Sequence, residues 1–137
     1  MNDADIRSIE SEIGFELPAT YCQFLLDHAA AIADRVRWGE ENEGAYQNVY
    51  PYCHVYEVVN YNRGDRSGFG IYGDQEPGQF CDRVVFIADN EGGDFIFIYR
   101  EPSRTGVWLL SEVGEATLEF ADLESYFRSL VMDIEQP

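Results

Sequence analysis

VVFIADNEGGDFIFIY, Val84 to Tyr99, decides the fold. Val84, Val85, Phe86, Ile87 and Ala88 form an unbroken apolar run, the pattern of a strand covered on both faces. Phe95 to Tyr99 is a second such run. Between them Asp89, Asn90, Glu91, Gly92, Gly93 and Asp94 supply turn chemistry: Asp and Asn favour turns, and Gly reaches positive φ without steric cost. Two apolar strands around a short Gly-rich link read as a β-hairpin.

Working outward, Pro102 to Gly106 turns the chain again and Val107 to Leu110 reads as a third strand. Phe120, Leu123, Phe127, Leu130 and Ile134 then fall on one helical stripe, with Asp122 placed to cap it. On the other side, Phe69 to Tyr72 reads as a short strand between turns at Asn62–Ser67 and Asp74–Gly78. Val49 to Tyr61 is rich in Tyr and Val and reads as strand material, with Pro51 confining it to an edge or a strand start. Trp38 to Asn48 is the least regular stretch, acidic and polar. The N-terminus is helical. Ile6, Ile9 and Ile13 recur at helical spacing, Asn2 and Asp3 can cap, and Gly14 is a natural stop. Pro18 suits the first turn of a second helix, which carries Tyr21, Phe24, Leu25 and His28 on one face and runs toward Val36. Helices before and after a run of strands predict an α+β fold, a mainly antiparallel sheet flanked by N-terminal and C-terminal helices. No repeat or linker divides residues 1–137, a length that suits one domain.

Twenty-six acidic residues stand against nine basic ones, every one of them Arg, for a formal net charge of -17. Such a surface repels phosphate backbones and anionic membranes, so neither direct nucleic-acid binding nor membrane binding is expected. It attracts a basic partner and accelerates the encounter. The same charge also serves solubility. Three cysteines at wide spacing, Cys22, Cys53 and Cys81, give neither a disulfide framework nor a zinc motif, and a reduced, cytoplasmic setting is expected. The acidic opening, Asn2, Asp3 and Asp5, does not suit a signal peptide.

The combined pattern resembles the SMI1/KNR4 family, also called the SUKH superfamily. The first match is IESEIGFELPATYCQFLL, Ile9 to Leu26, with Gly14, Phe15, Leu17, Pro18, Tyr21, Phe24 and Leu25 standing where the family has its Gly-aromatic step, Leu-Pro and aromatic helix. The second is the hairpin, with Gly92, Gly93 and Asp94. The third is the helix holding Leu123, Phe127 and Leu130. Trp38 to Gln79 lies outside the resemblance. One departure falls at the second helix, where the family often has Asn-Gly and this chain has His28, Ala29 and Ala30. The resemblance implies a protein that works by binding and not by catalysis. Bacterial members are mostly immunity proteins that neutralise a toxin of the same strain, often a nuclease or nucleic-acid deaminase. Fungal members regulate cell-wall synthesis through protein contacts. No cofactor is implied.

Other constellations have bland explanations. Cys53 and His54, with Cys22 or Cys81, are poor joint metal ligands, because neighbours on a strand face opposite sides. No signature supports a Cys–His–acid triad. Gly68, Gly70 and Gly73 spell G-x-G-x-x-G, but Asp74, Pro77 and Gly78 follow, so no helix opens to hold a phosphate. Turn chemistry accounts for Asp89, Glu91 and Asp94 without acid–base work.

Composition and expected exposure nominate the partner-binding residues. They are Trp38, Glu40, Glu41, Glu43, Tyr50, Tyr52, Asp74 and Glu76, then Asp89 and Glu91. Exposed aromatics beside acids suit an interface, and loops carry specificity on a fixed scaffold. A regulatory or scaffold module without a toxin is the alternative. A small enzyme or ligand-binding domain is a further one and would require a deep polar pocket.

Overall fold

The computed structural model describes residues 1–42, 51–62, 83–89, 93–101, 103–111 and 114–135. Among these, the order is α1 (Asp3–Ile13), α2 (Ala19–Asn42), α3 (Val55–Asn62), β1 (Val84–Asp89), β2 (Phe95–Tyr99), β3 (Val107–Leu110), β4 (Ala116–Phe120) and α4 (Leu123–Glu135). The four strands form one antiparallel sheet in the order β1-β2-β3-β4. The fold is α+β, with helices on both sides of the sheet in sequence.

The hairpin forms as its pattern dictates. Val84 to Ala88 are all buried, as are Ile96, Phe97 and Ile98. Gly93 holds φ +93°, a left-handed conformation that Gly adopts without the clash a Cβ would cause. Phe86 pairs with Phe97 and Ala88 with Ile96, so Ile87 is an extra residue, a β-bulge. The Ile87 carbonyl accepts from the Tyr52 N–H at 2.7 Å, and Pro51 forms an isolated bridge to Ala88. Pro51 therefore sits at the sheet edge, where a residue without a donor is tolerated.

The helices start and stop on chemistry legible in the chain. Asn2 and Asp5 form a reciprocal capping box on α1, and Gly14 ends it at φ +81°. The Leu17 N–H then donates to the Glu10 carboxylate at 2.7 Å, which fixes the link to α2. Pro18 precedes α2, and its carbonyl accepts the helix's early bond from the Cys22 N–H at 3.0 Å. Asp122 caps α4 by accepting from the Ser125 N–H at 2.8 Å, which holds its carboxyl below the usual range. Phe24 of α2 stacks on Phe127 of α4, ring centroids 3.6 Å apart. Tyr21, Leu25 and Ile32 of α2 are fully buried in the same core.

Four expectations are corrected. Val55–Asn62 is a helix and not strand. Val55, Val58, Val59 and Asn62 recur at i, i+3, i+4 and i+7, and burial of Val58, Val59 and Asn62 overrides the β preference of Tyr and Val. The second helix runs past Val36 to Asn42, so Trp38, Glu40 and Glu41 belong to its last turns and not to a loop. The departure at His28–Ala30 does not break it, and Ala29 is buried. Phe120 ends β4 and does not open the last helix. β4 itself, ATLEF, went unread because Ala116 to Glu119 are all exposed and show no apolar alternation. The expected strand Phe69–Tyr72, its flanking turns beyond Asn62 and the G-x-G-x-x-G stretch lie outside the described residues.

Candidate functional site

Three places on the described surface bear on function. The first is the end of α2. Trp38 is 40% exposed there, and Glu41 is exposed four residues from Arg37. The Arg35 guanidinium lies over the Trp38 ring, 4.8 Å from its centroid, on the adjacent turn. Arg37 pairs with Asp34 at 2.5 Å, both well exposed, so this ion pair adds little stability. The helix end thus presents an aromatic and the Glu41 carboxylate together.

The second place joins Tyr52 to Asp89. The Tyr52 hydroxyl donates to Asp89 Oδ2 at 2.7 Å across 37 residues of sequence. Tyr52 is only 5% exposed, and the half-exposed Tyr61 stacks on it at 4.7 Å. Two residues nominated separately are thus one unit. Tyr52 is held inside the fold and presents little surface, with its backbone N–H bonded to Ile87 at the bulge of β1. Asp89 stays partly exposed at the strand's end. Burial, then the Asp89 hydrogen bond, pushes the Tyr52 phenol far above its usual range. Burial does the same to Tyr21 and Tyr126.

These phenols make an alkaline prediction. A folded-state pKa above the unfolded one, near pH 10, means the folded chain holds these protons more firmly. The contribution is whole below about pH 10 and is lost as pH rises above it. The urea midpoint should therefore fall steeply above about pH 10, with tyrosinate absorbance appearing together with unfolding. Tyr52→Phe should cost about 1–3 kcal/mol at neutral pH, since it deletes a bond to a charged acceptor. It should also make the alkaline fall shallower. Ionisation of all nine phenols in a chain still folded would contradict this.

The third place is the start of α3. Glu57 Oε1 accepts from the backbone N–H groups of Cys53 and His54, at 3.4 and 3.3 Å, and lies 3.9 Å from Cys53 Sγ. The His54 carbonyl accepts from the N–H groups of Glu57 and Val58. Burial, then the Glu57 carboxylate, pushes the Cys53 thiol up to about 12. The Sγ atom, the imidazole and the carboxylate offer ligand atoms that all lie within 4.8 Å of one another. Cys53 and His54 lead into α3 and not along a strand, so strand alternation does not hold their side chains on opposite faces. Cys53 and Cys22 both carry free thiols. A cavity of about 230 Å³, lined by Met1, Asp5, Ala30, Ala33, Cys53 and His54 among others, opens beside this cluster.

Of the other nominated residues, Glu43, Tyr50, Asp74, Glu76 and Glu91 lie outside the described residues, as do Gly92 and Cys81, and the side chain of Glu40 is likewise outside. Asp94 is half-buried just before β2. Among the described residues, no helix is long and apolar enough to cross a membrane.

The model of the SMI1 / KNR4 family (SUKH-1) matches residues 1–129. No curated protein and no solved structure matches the chain.

Proposed function

The chain belongs to the SMI1 / KNR4 family (SUKH-1), and on that footing we propose that it is an immunity protein which binds and neutralises a toxin. Family membership over nearly the whole chain is the observation that carries this reading. The family suggests a protein partner, and the charge supplies that partner's chemistry. A nuclease or nucleic-acid deaminase must hold phosphate and so presents a basic cleft. A net charge of -17 favours capture of such a surface, with long-range attraction raising the on-rate. Inhibition is by occlusion: carboxylates and aromatics cover the cleft, and substrate is excluded. On this reading the chain acts by binding and has no catalytic residues.

The exposed end of α2 is the best supported contact surface. Trp38 offers a large aromatic that is already outside the core, and Glu41 is exposed three residues on; Glu40 remains a candidate on composition. Glu43, Tyr50, Asp74, Glu76 and Glu91 remain candidates on composition. Asp89 remains one on partial exposure, with Tyr52 orienting it.

The test is a pull-down from the native host with the chain as bait, washed at low and then at high salt. One basic nuclease-like or deaminase-like protein, released by salt, is expected. Recovery of nothing, or of a housekeeping enzyme, counts against the reading. Replacing Glu40, Glu41 and Glu43 together by Gln should weaken binding on the order of tenfold, about 1.4 kcal/mol, and flatten its salt dependence. An unchanged affinity and salt slope would remove these residues from the interface.

A further inference from the structure

The start of α3 brings a thiol, an imidazole and a carboxylate together where sequence reasoning expected opposed side chains. We propose that Cys53, His54 and Glu57 bind one zinc ion with an open fourth position. The proposal rests on this cluster alone and stands whether or not the toxin reading does.

Geometry is the first support. All three ligand atoms lie within 4.8 Å of one another. A tetrahedral zinc with a sulfur at about 2.3 Å and nitrogen or oxygen at about 2.0–2.2 Å places its ligands roughly 3.3–3.6 Å apart. The set must close by about an ångström to reach that spacing. The backbone is already fixed, because Glu57 Oε1 accepts from the amides of both other ligand residues. Glu57 Oε2 makes no hydrogen bond among the described residues, which leaves it for an ion. The carboxylate is thus oriented by the same peptide groups that carry the thiol and the imidazole, the kind of support that tunes metal sites.

Donor chemistry selects the ion. A carboxylate alone would suit magnesium or calcium, and many exposed acids on this chain could hold such ions loosely. A sulfur and a nitrogen ligand favour zinc over both. On coordination the Cys53 thiol gives its proton to the solvent as the sulfur–zinc bond forms, with no change of oxidation state. The cavity of about 230 Å³ that Cys53 and His54 line with Asp5 opens beside these ligands. There is room in it for a water or for one incoming donor.

Cobalt(II) titration of the full-length, reduced chain tests the proposal, with zinc then added to displace the cobalt. The expected result is one equivalent of cobalt, with a thiolate-to-cobalt charge-transfer band that zinc abolishes. Cys53→Ser should lose the band, while Cys22→Ser and Cys81→Ser keep it. His54→Ala and Glu57→Gln should weaken binding at least roughly tenfold to a hundredfold. The Gln side chain can still accept from both amides, so that variant keeps the helix start. Circular dichroism matching the wild type shows that each variant is folded. No charge-transfer band, or one that survives in folded Cys53→Ser, overturns the proposal. So does uptake of several equivalents without sulfur involvement, which is adventitious binding to surface acids.

Discussion

Replacing Asn62 by Ala lowers the stability of the chain by about 3 kcal/mol or more. The reason lies at the open edge of β1. Phe86 sits there with its backbone groups pointing away from β2, and a buried peptide group without a partner is costly. Asn62, itself 7% exposed, meets both groups. Its Nδ2 donates to the Phe86 carbonyl at 2.7 Å, and its Oδ1 accepts from the Phe86 N–H at 2.7 Å. The carboxamide thus imitates a neighbouring strand for one residue. Nδ2 also donates to the Val58 carbonyl at 3.0 Å, which fixes the side chain against its own helix. Truncation removes both of these bonds to Phe86 at once. In thermal melts the expected loss is on the order of 10 °C. Asn60→Ala, two residues away and exposed, should stay within about 0.5 kcal/mol. Asp at position 62 should rescue little, because its carboxylate has no donor for the Phe86 carbonyl. Equal stability of the Asn62 and Asn60 variants would remove the edge-capping role.

Phe127→Ala should be the other severe variant, at about 3–5 kcal/mol by urea unfolding. Phe127 is 7% exposed and Phe24 is 4% exposed, and their rings stack between α2 and α4. Phe127 also meets Tyr126 at 5.6 Å. Leu123, Tyr126 and Leu130 bury the rest of the same face, so truncation opens a cavity within a packed helix contact. A double-mutant cycle with Phe24→Ala should show coupling of about 1 kcal/mol. Trp38→Ala is the contrast: its ring is already exposed, so stability should barely move while partner binding falls. If Trp38→Ala destabilised as much as Phe127→Ala, the exposed-anchor reading of the α2 end would be wrong.

The parts of the fold that were legible in the sequence are those where one signal dominates. The hairpin shows itself because Val84 to Ala88 and Phe95 to Tyr99 are apolar on both faces and a Gly pair separates them. The first helix shows itself through Ile6, Ile9 and Ile13 and the cap at Asn2. The segment around Val55 to Asn62 misleads because two signals disagree. Its composition favours strand, while its spacing favours helix, and the spacing wins because three buried side chains fall on one face. That single misreading hid the Cys53–His54–Glu57 cluster, since a strand would have split it. Reading Cys53, His54 and Glu57 as the first turn of a helix would have found it. The pairing of Tyr52 with Asp89 was beyond local reading, because it depends on how a chain 37 residues long returns to the sheet edge. β4 was illegible for a simpler reason: a strand paired on one side and exposed on both faces leaves no hydrophobic pattern.

If this chain silences an enzyme by covering its basic cleft, as proposed, inhibition must follow binding. The most direct measurement takes the basic protein recovered by the chain and assays its nuclease or deaminase activity against increasing amounts of the chain. The account predicts complete loss of activity at one chain per enzyme, with inhibition relieved by raised salt and by the Glu40, Glu41 and Glu43 to Gln variant. A bound enzyme that keeps its full activity would contradict it.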